Sequence, residues 1–151
     1  MSQRRDLQIR VTDRESIEAG VVMRVPYVLI SIRDSDKQPL RIRRSGLCRA
    51  VLELAFYDAE PLPGFRPTMQ ITYMTEADAE AIWRFVREHD GAYRAIVVHC
   101  EQGMSRSPAV AAALAEGLGV DSRRFWREYQ PNQFVFNRVK NAVAEIFEGE
   151  A

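Results

Sequence analysis

The sequence predicts an α/β fold, with a central, mostly parallel sheet of about four to five strands flanked by helices. Three observations carry that reading. Short apolar, β-branched runs alternate along the chain with segments of helical period. One of these runs, Ala95 to Val98, is apolar throughout, as a strand covered on both faces must be. The 151 residues are 46% hydrophobic and 28% charged, which fits one compact domain with a sizeable core and is too apolar for a disordered chain.

Taken in order, Leu7 to Val11 reads as a short strand and Asp13 to Ala19 as a short helix stopped by Gly20. Tyr27-Val28-Leu29-Ile30-Ser31-Ile32 is broken by Asp34-Ser35-Asp36, the pattern of a buried strand running into a loop. Val51 to Phe56 repeats the pattern and ends at Tyr57-Asp58, after which Pro61, Pro63, Gly64 and Pro67 preclude regular structure. Over Thr75 to His89, Ile82, Phe85 and Val86 fall at helical spacing, Thr75 can cap the first turn with Asp78, and Gly91 closes the segment. The strand Ala95 to Val98 leads into a loop, and Pro108 takes the first position of an Ala-rich helix reaching about Leu118, where its missing N–H has no partner to lose. Ser122 to Tyr129 and Asn132 to Phe147 read as two further helices. No repeat, low-complexity tract or flexible linker divides the chain, so residues 1–151 read as a single domain.

Composition also excludes functions. The 21 Lys and Arg residues cancel the 21 Asp and Glu, which removes the global positive field of non-specific nucleic-acid binding; no nucleic-acid partner is expected. No apolar run approaches the roughly 18 residues of a membrane span, and Met1 to Arg10 lacks the apolar region of a signal peptide, so an unexported, cytoplasmic protein without a membrane partner is expected. Cys48 and Cys100 lie far apart, with no CxxC spacing and too few neighbouring His or Cys for a zinc site. No metal or other cofactor is expected, and thiol reactivity becomes the reason to consider either cysteine.

The junction between the Ala95 strand and the Pro108 helix carries the chemistry. A loop from the carboxyl end of a buried strand to a helix N-terminus gathers backbone N–H groups at the positive end of the helix dipole, a ready anion site. Cys100 opens this loop and Arg106 closes it. The amides of Glu101, Gln102, Gly103, Met104 and Ser105, the Arg106 guanidinium and a thiol can therefore face one bound oxyanion. That field favours the thiolate, which makes Cys100 a candidate nucleophile beneath a phosphate cradle. Taken singly, each residue has a plainer reading: Cys100 as a core residue, Arg106 as a surface charge, Ser107 as a helix cap, His99 as a satisfied core histidine.

Taken together, His99-Cys100-x-x-Gly103-x-x-Arg106-Ser107 resembles the signature loop of the cysteine-dependent protein tyrosine phosphatase superfamily. The size and the Ser-Arg-Ser-Pro ending resemble its compact dual-specificity members, including bacterial-type ones. The resemblance is tight over Val97 to Ala111, loose over Tyr27 to Phe147, and does not extend before Val22. It implies a phosphomonoesterase that acts on protein phosphotyrosine, with phosphoserine and phosphothreonine as further substrates, through a cysteinyl-phosphate intermediate. Cys100 would attack phosphorus, Arg106 would hold two equatorial oxygens, Ser107 would stabilise the departing thiolate, and His99 would support the loop without moving protons. The resemblance also implies a general acid on a loop after an upstream strand. Asp58 fits best; Asp78 and Glu60 are its rivals, and Asp78 has the simpler explanation of a helix cap.

Other features carry less weight. Pro131-Asn132 resembles a turn that buttresses the loop, and Asn132 can equally cap the last helix. Cys48 is a candidate resolving thiol for oxidised Cys100. Arg41, Arg43, Arg44 and Arg49 read as a solvated face, with contact to an acidic phosphoprotein as the alternative. The implied partner is a phosphorylated protein. Phosphoinositides or RNA 5′ phosphates are alternative substrates, and a phosphate-reading module without turnover is an alternative function. The variable positions Glu101, Gln102, Met104 and Ser105 bring no Lys or Arg to a polyphosphorylated group.

Overall fold

Residues 6–61 and 71–143 are described by the computed structural model. In chain order they form β1 (Gln8–Asp13), α1 (Arg14–Ala19), β2 (Tyr27–Arg33), β3 (Cys48–Ala55), α2 (Glu76–Glu88), β4 (Ala95–Cys100), α3 (Arg106–Leu118), α4 (Arg123–Glu128) and α5 (Gln133–Val143). The strands pair in the order β1-β4-β2-β3 and every pairing is parallel. All four carboxyl ends therefore lie at one end of the sheet, where open α/β sheets form their sites. The central β4 lies between β1 and β2, and each of its residues is buried, polar His99 included.

Alternate side chains of the sheet feed two unequal cores. Ile9, Val28, Ile30, Ile96 and Val98 face the larger one, built with α2, α3 and α5. In α3 every residue from Ala109 to Ala115 is buried, and five of these seven are alanine, short enough for the helix to lie close on the strands. Tyr27, Leu29, Ala95 and Val97 face the smaller core, which Ile17 of α1 and Leu40 of the segment after β2 cover. Arg41, Arg43 and Arg44 on that covering segment, and Arg49 beyond it, are exposed. Arg44 and Arg49 donate to the carbonyls of Cys48 and Gly46.

Several boundaries differ from the sequence expectation. β3 starts at Cys48 rather than Val51, because Cys48 and Ala50 find partners on β2 and an edge strand tolerates an exposed Arg49. β4 runs on through His99 and Cys100, which pair with Thr12 and Asp13 of β1. α3 begins at Arg106, so Pro108 occupies its third position rather than its first. That N–H also lacks an intrahelical acceptor, so proline still sacrifices nothing there. Thr75 caps α2 as expected, in a reciprocal pair with Asp78 at 2.9 and 3.0 Å. The continuation of α5 to Phe147 and the proline-rich positions 63–67 lie outside the described residues. Among the described residues no helix is long and apolar enough to cross a membrane.

The register also separates the cysteines. Cys48 sits level with Tyr27, which in turn pairs with Ala95 at the opposite end of β4 from Cys100. At about 3.3 Å per residue the thiols are roughly 17 Å apart along the strands. Cys48 is thus not placed to resolve an oxidised Cys100, and that expectation is withdrawn.

Candidate active site

β4 carries Cys100 to the carboxyl end of the sheet, and the loop into α3 folds around its sulfur. Gly103 N donates to Cys100 Sγ at 3.3 Å and Ser107 N at 3.5 Å, while Ser107 Oγ lies 3.2 Å away. Cys100 is 2% exposed, so these donors replace the water that would otherwise solvate a charged sulfur. The loop turns at Gly103 with φ +72°, and a Cβ there would stand 2.8 Å from the Thr12 carbonyl oxygen. Both the positive φ and the close backbone approach demand glycine. Ser105, the N-cap of α3, makes no side-chain cap bond; its hydroxyl turns to Asp58 instead.

Arg106 is 5% exposed and its contacts are one-sided. Nη1 donates to Asp34 Oδ1 at 2.6 Å and to Phe56 O at 2.7 Å, whereas the buried Nε has no partner among the described residues. An unsatisfied buried donor costs about 1–3 kcal/mol. One side of the guanidinium is thus fixed by the protein, while Nε is a donor that the described residues do not use. Asp34 was not among the residues singled out from the sequence, where Asp34-Ser35-Asp36 marks only the end of a strand. Its signal was positional: a carboxylate just past a parallel strand that neighbours the nucleophile's strand.

His99 lies behind the loop. Its Nδ1 is 3.2 Å from Cys100 O and its Nε2 is 2.6 Å from Ser31 Oγ. Burial pushes the imidazole below its ordinary value of 6.5 and keeps it neutral. The Cys100 carbonyl can only accept, so Nδ1 carries the hydrogen and Nε2 accepts from the Ser31 hydroxyl. His99 therefore holds the backbone at Cys100 without reaching the pocket.

Asp58 stands over the loop after β3. Its Oδ1 accepts from Ser105 Oγ at 2.8 Å and from Asn132 Nδ2 at 2.9 Å. The two readings of Asn132 hold together: Oδ1 accepts from Val135 N at 3.0 Å to cap α5, while Asn132 N donates to Ser105 O at 3.0 Å and braces the loop. Gln130 N adds a bond to Met104 O at 3.0 Å. A pocket of about 320 Å³ opens over the sulfur, lined by Asp34, Tyr57, Asp58, Cys100, Arg106 and the loop residues Glu101, Gln102, Met104 and Ser105. Gly103, Ser107 and His99 lie outside that lining. So do Glu60, Asp78 and the arginines at 41, 43, 44 and 49. Partial burial and the nearby Asp36 carboxylate push the Tyr57 phenol above its usual value, so it stays protonated at the pocket wall.

No family model matches the chain, and no curated protein sequence matches it. Solved structures do share its fold. A mouse protein described as a dual specificity phosphatase, solved with zinc tungstate, is similar with a TM-score of 0.56 and 18% identity, over 96% of this chain and 86% of that one. PTPMT1 in complex with PI(5)P gives 0.54 and 12% identity over 99% and 98% of the two chains. Human DUSP28 gives 0.51 and 15% identity over 97% and 99%. At these identities the likeness is one of fold: the parallel sheet and its helices are arranged as in these three proteins.

Proposed function

We propose that the protein is a phosphomonoesterase in which Cys100 takes phosphate from a monoester and passes it to water, with no metal ion in the reaction. The observation that carries this reading is Arg106, a buried guanidinium with Nη1 committed to Asp34 and Phe56 and Nε without a partner among the described residues, lining one pocket with the hydrogen-bonded sulfur of Cys100. A tetrahedral oxyanion satisfies Nε and the loop amides together. Zinc tungstate bound to the mouse protein of this fold is consistent with such a cradle.

In the first step the Cys100 thiolate forms a bond to phosphorus as the bond to the ester oxygen breaks. Asp58 supplies the proton that the leaving oxygen needs. Its two hydrogen bonds both reach Oδ1, which leaves Oδ2 to carry that proton. In the second step Asp58 takes a proton from water as the water attacks phosphorus, and Ser107 Oγ stabilises the departing sulfur. Backbone amides of residues 101–105 and Arg106 hold the charge that develops on the phosphoryl oxygens.

The proposed substrate is a phosphorylated protein, with phosphotyrosine foremost and phosphoserine and phosphothreonine beside it, met by a single cytoplasmic domain over residues 1–151. A phosphoinositide is the second reading, suggested by the PI(5)P bound to PTPMT1. Lining charges weigh against it: among the described residues Asp34, Asp58 and Glu101 face the pocket with Arg106 as the one cationic side chain, which suits a single phosphate better than several.

Hydrolysis of an aryl phosphate in excess chelator tests the reaction, and a panel of phosphotyrosine, phosphoserine and PI(5)P substrates tests the class. Unchanged rates in chelator and the highest kcat/KM on phosphotyrosine peptide are expected. Activity that disappears on chelation and returns with a divalent cation contradicts the thiol mechanism. For the acid, Asp58→Asn is expected to lower kcat by about 10² on phosphotyrosine and by much less on an ester of a strongly acidic phenol. Asp78→Asn is expected to keep activity and to lose about 1 kcal/mol or less of stability, as for a helix cap. Leaving-group dependence in the Asp78 variant alone would move the acid to α2.

A further inference from the structure

Glu101 follows the proposed nucleophile and lines the pocket. A carboxylate there opposes both a charged sulfur and a bound dianion. It is not left alone. Arg14, the first residue of α1, donates Nη1 to Glu101 Oε2 at 3.2 Å, and its backbone N donates to Glu101 O at 3.3 Å. Nη2 of the same guanidinium donates to Gln38 O at 3.2 Å, and Nε lies 3.5 Å from Glu18 Oε1. Gln38 belongs to the segment that begins with Asp34, the residue that fixes Arg106. One side chain, remote in sequence from the loop motif, thus joins α1, the loop around Cys100 and the segment behind Arg106.

Sheet register fixes where Arg14 stands. Asp13 pairs with Cys100, and the Thr12 carbonyl abuts Gly103, so the end of β1 lies against the loop. Asp13 does not compete for the guanidinium, because its carboxylate caps α1 by accepting from Ser16 N at 2.7 Å. The Arg14 and Glu101 side chains are 21% and 19% exposed, so solvent screens the pair only in part.

We infer that Arg14 is a positioning residue of the oxyanion site: it cancels the Glu101 charge beside Cys100 and anchors the segment that carries Asp34. The inference rests on the phosphate reading only for what the oxyanion is; cancellation of charge acts on the thiol whatever the substrate.

Arg14→Gln, Glu101→Gln and the double variant of the full chain separate charge cancellation from simple structural support. Two readouts apply: tungstate affinity, and the rate at which iodoacetamide alkylates Cys100 at neutral pH, followed by peptide mass spectrometry. Arg14→Gln is expected to weaken tungstate binding about tenfold and to slow alkylation about fivefold, because an unpaired carboxylate then faces both the anion and the sulfur. Adding Glu101→Gln is expected to bring both values back to within about twofold of Glu101→Gln alone. A merely structural role predicts the opposite at the thiol: a loosened loop uncovers a residue that is 2% exposed and speeds its alkylation. Unchanged or faster alkylation in Arg14→Gln, or a double variant no better than Arg14→Gln, overturns the inference. Arg14→Lys, which keeps the charge, is expected to alkylate within about twofold of the natural chain, and slow alkylation there counts equally against charge cancellation. A natural chain that binds no tungstate overturns the phosphate reading, while the alkylation rates still judge the role of Arg14.

Discussion

Cys100→Ser is expected to lower turnover by about 10⁴-fold or more and to leave tungstate affinity within a few-fold of the natural chain. A serine hydroxyl keeps its proton at neutral pH, so the donors at Gly103 N and Ser107 N, which face a sulfur in the natural chain, no longer stabilise a nucleophile. The anion-holding groups do not depend on the sulfur's charge: the loop amides, Gly103 N among them, are backbone, and Arg106 is fixed by Asp34 and Phe56. Steady-state hydrolysis and calorimetric titration of tungstate read the two properties separately. A variant that keeps more than a small residual rate removes Cys100 from the reaction. A variant that loses tungstate binding altogether shows instead that the sulfur shapes the cradle.

Arg106→Lys is expected to lower kcat/KM by about 10³-fold and tungstate affinity by about 10²-fold, with the fold retained. An ammonium has three donors and can still satisfy Asp34 Oδ1 and Phe56 O, the two acceptors that Nη1 serves. It offers no planar second edge, so the position of the unpartnered Nε is left without a donor. Preserved stability with lost binding is therefore the expected signature, measured by thermal unfolding beside the titration. Natural affinity in this variant contradicts the assignment of Nε to the oxyanion. A large loss of stability shows that Arg106 serves the fold first.

The sheet and most helices were legible because their signals are local: an apolar run at β4, reciprocal capping at Thr75 and Asp78, alanines along α3. The loop around Cys100 was legible for the same reason, since residues 99–107 are contiguous and their chemistry depends on spacing within one turn. The place of Asp58 at the pocket was legible from its position after a strand. Asp34 and Arg14 were not, because their roles depend on which strands become neighbours. Only the order β1-β4-β2-β3 places the ends of β1 and β2 on either side of Cys100. The extension of β4 through His99 was missed because a polar residue interrupts the apolar run; its partner Ser31 lies on another strand. Cys48 shows the converse: two thiols in one sheet suggest redox pairing until parallel register sets them at opposite ends.

Passage of phosphate through the Cys100 sulfur is tested most directly by rapid acid quench during turnover of a phosphotyrosine substrate, followed by peptide mass spectrometry. A phosphate adduct on the peptide holding Cys100 is expected, absent from the Cys48 peptide and from Cys100→Ser, and more abundant in Asp58→Asn with an acidic leaving group, where the second step lacks its base. Full turnover with no adduct at Cys100 in any of these chains, or an adduct on another residue, would contradict the mechanism.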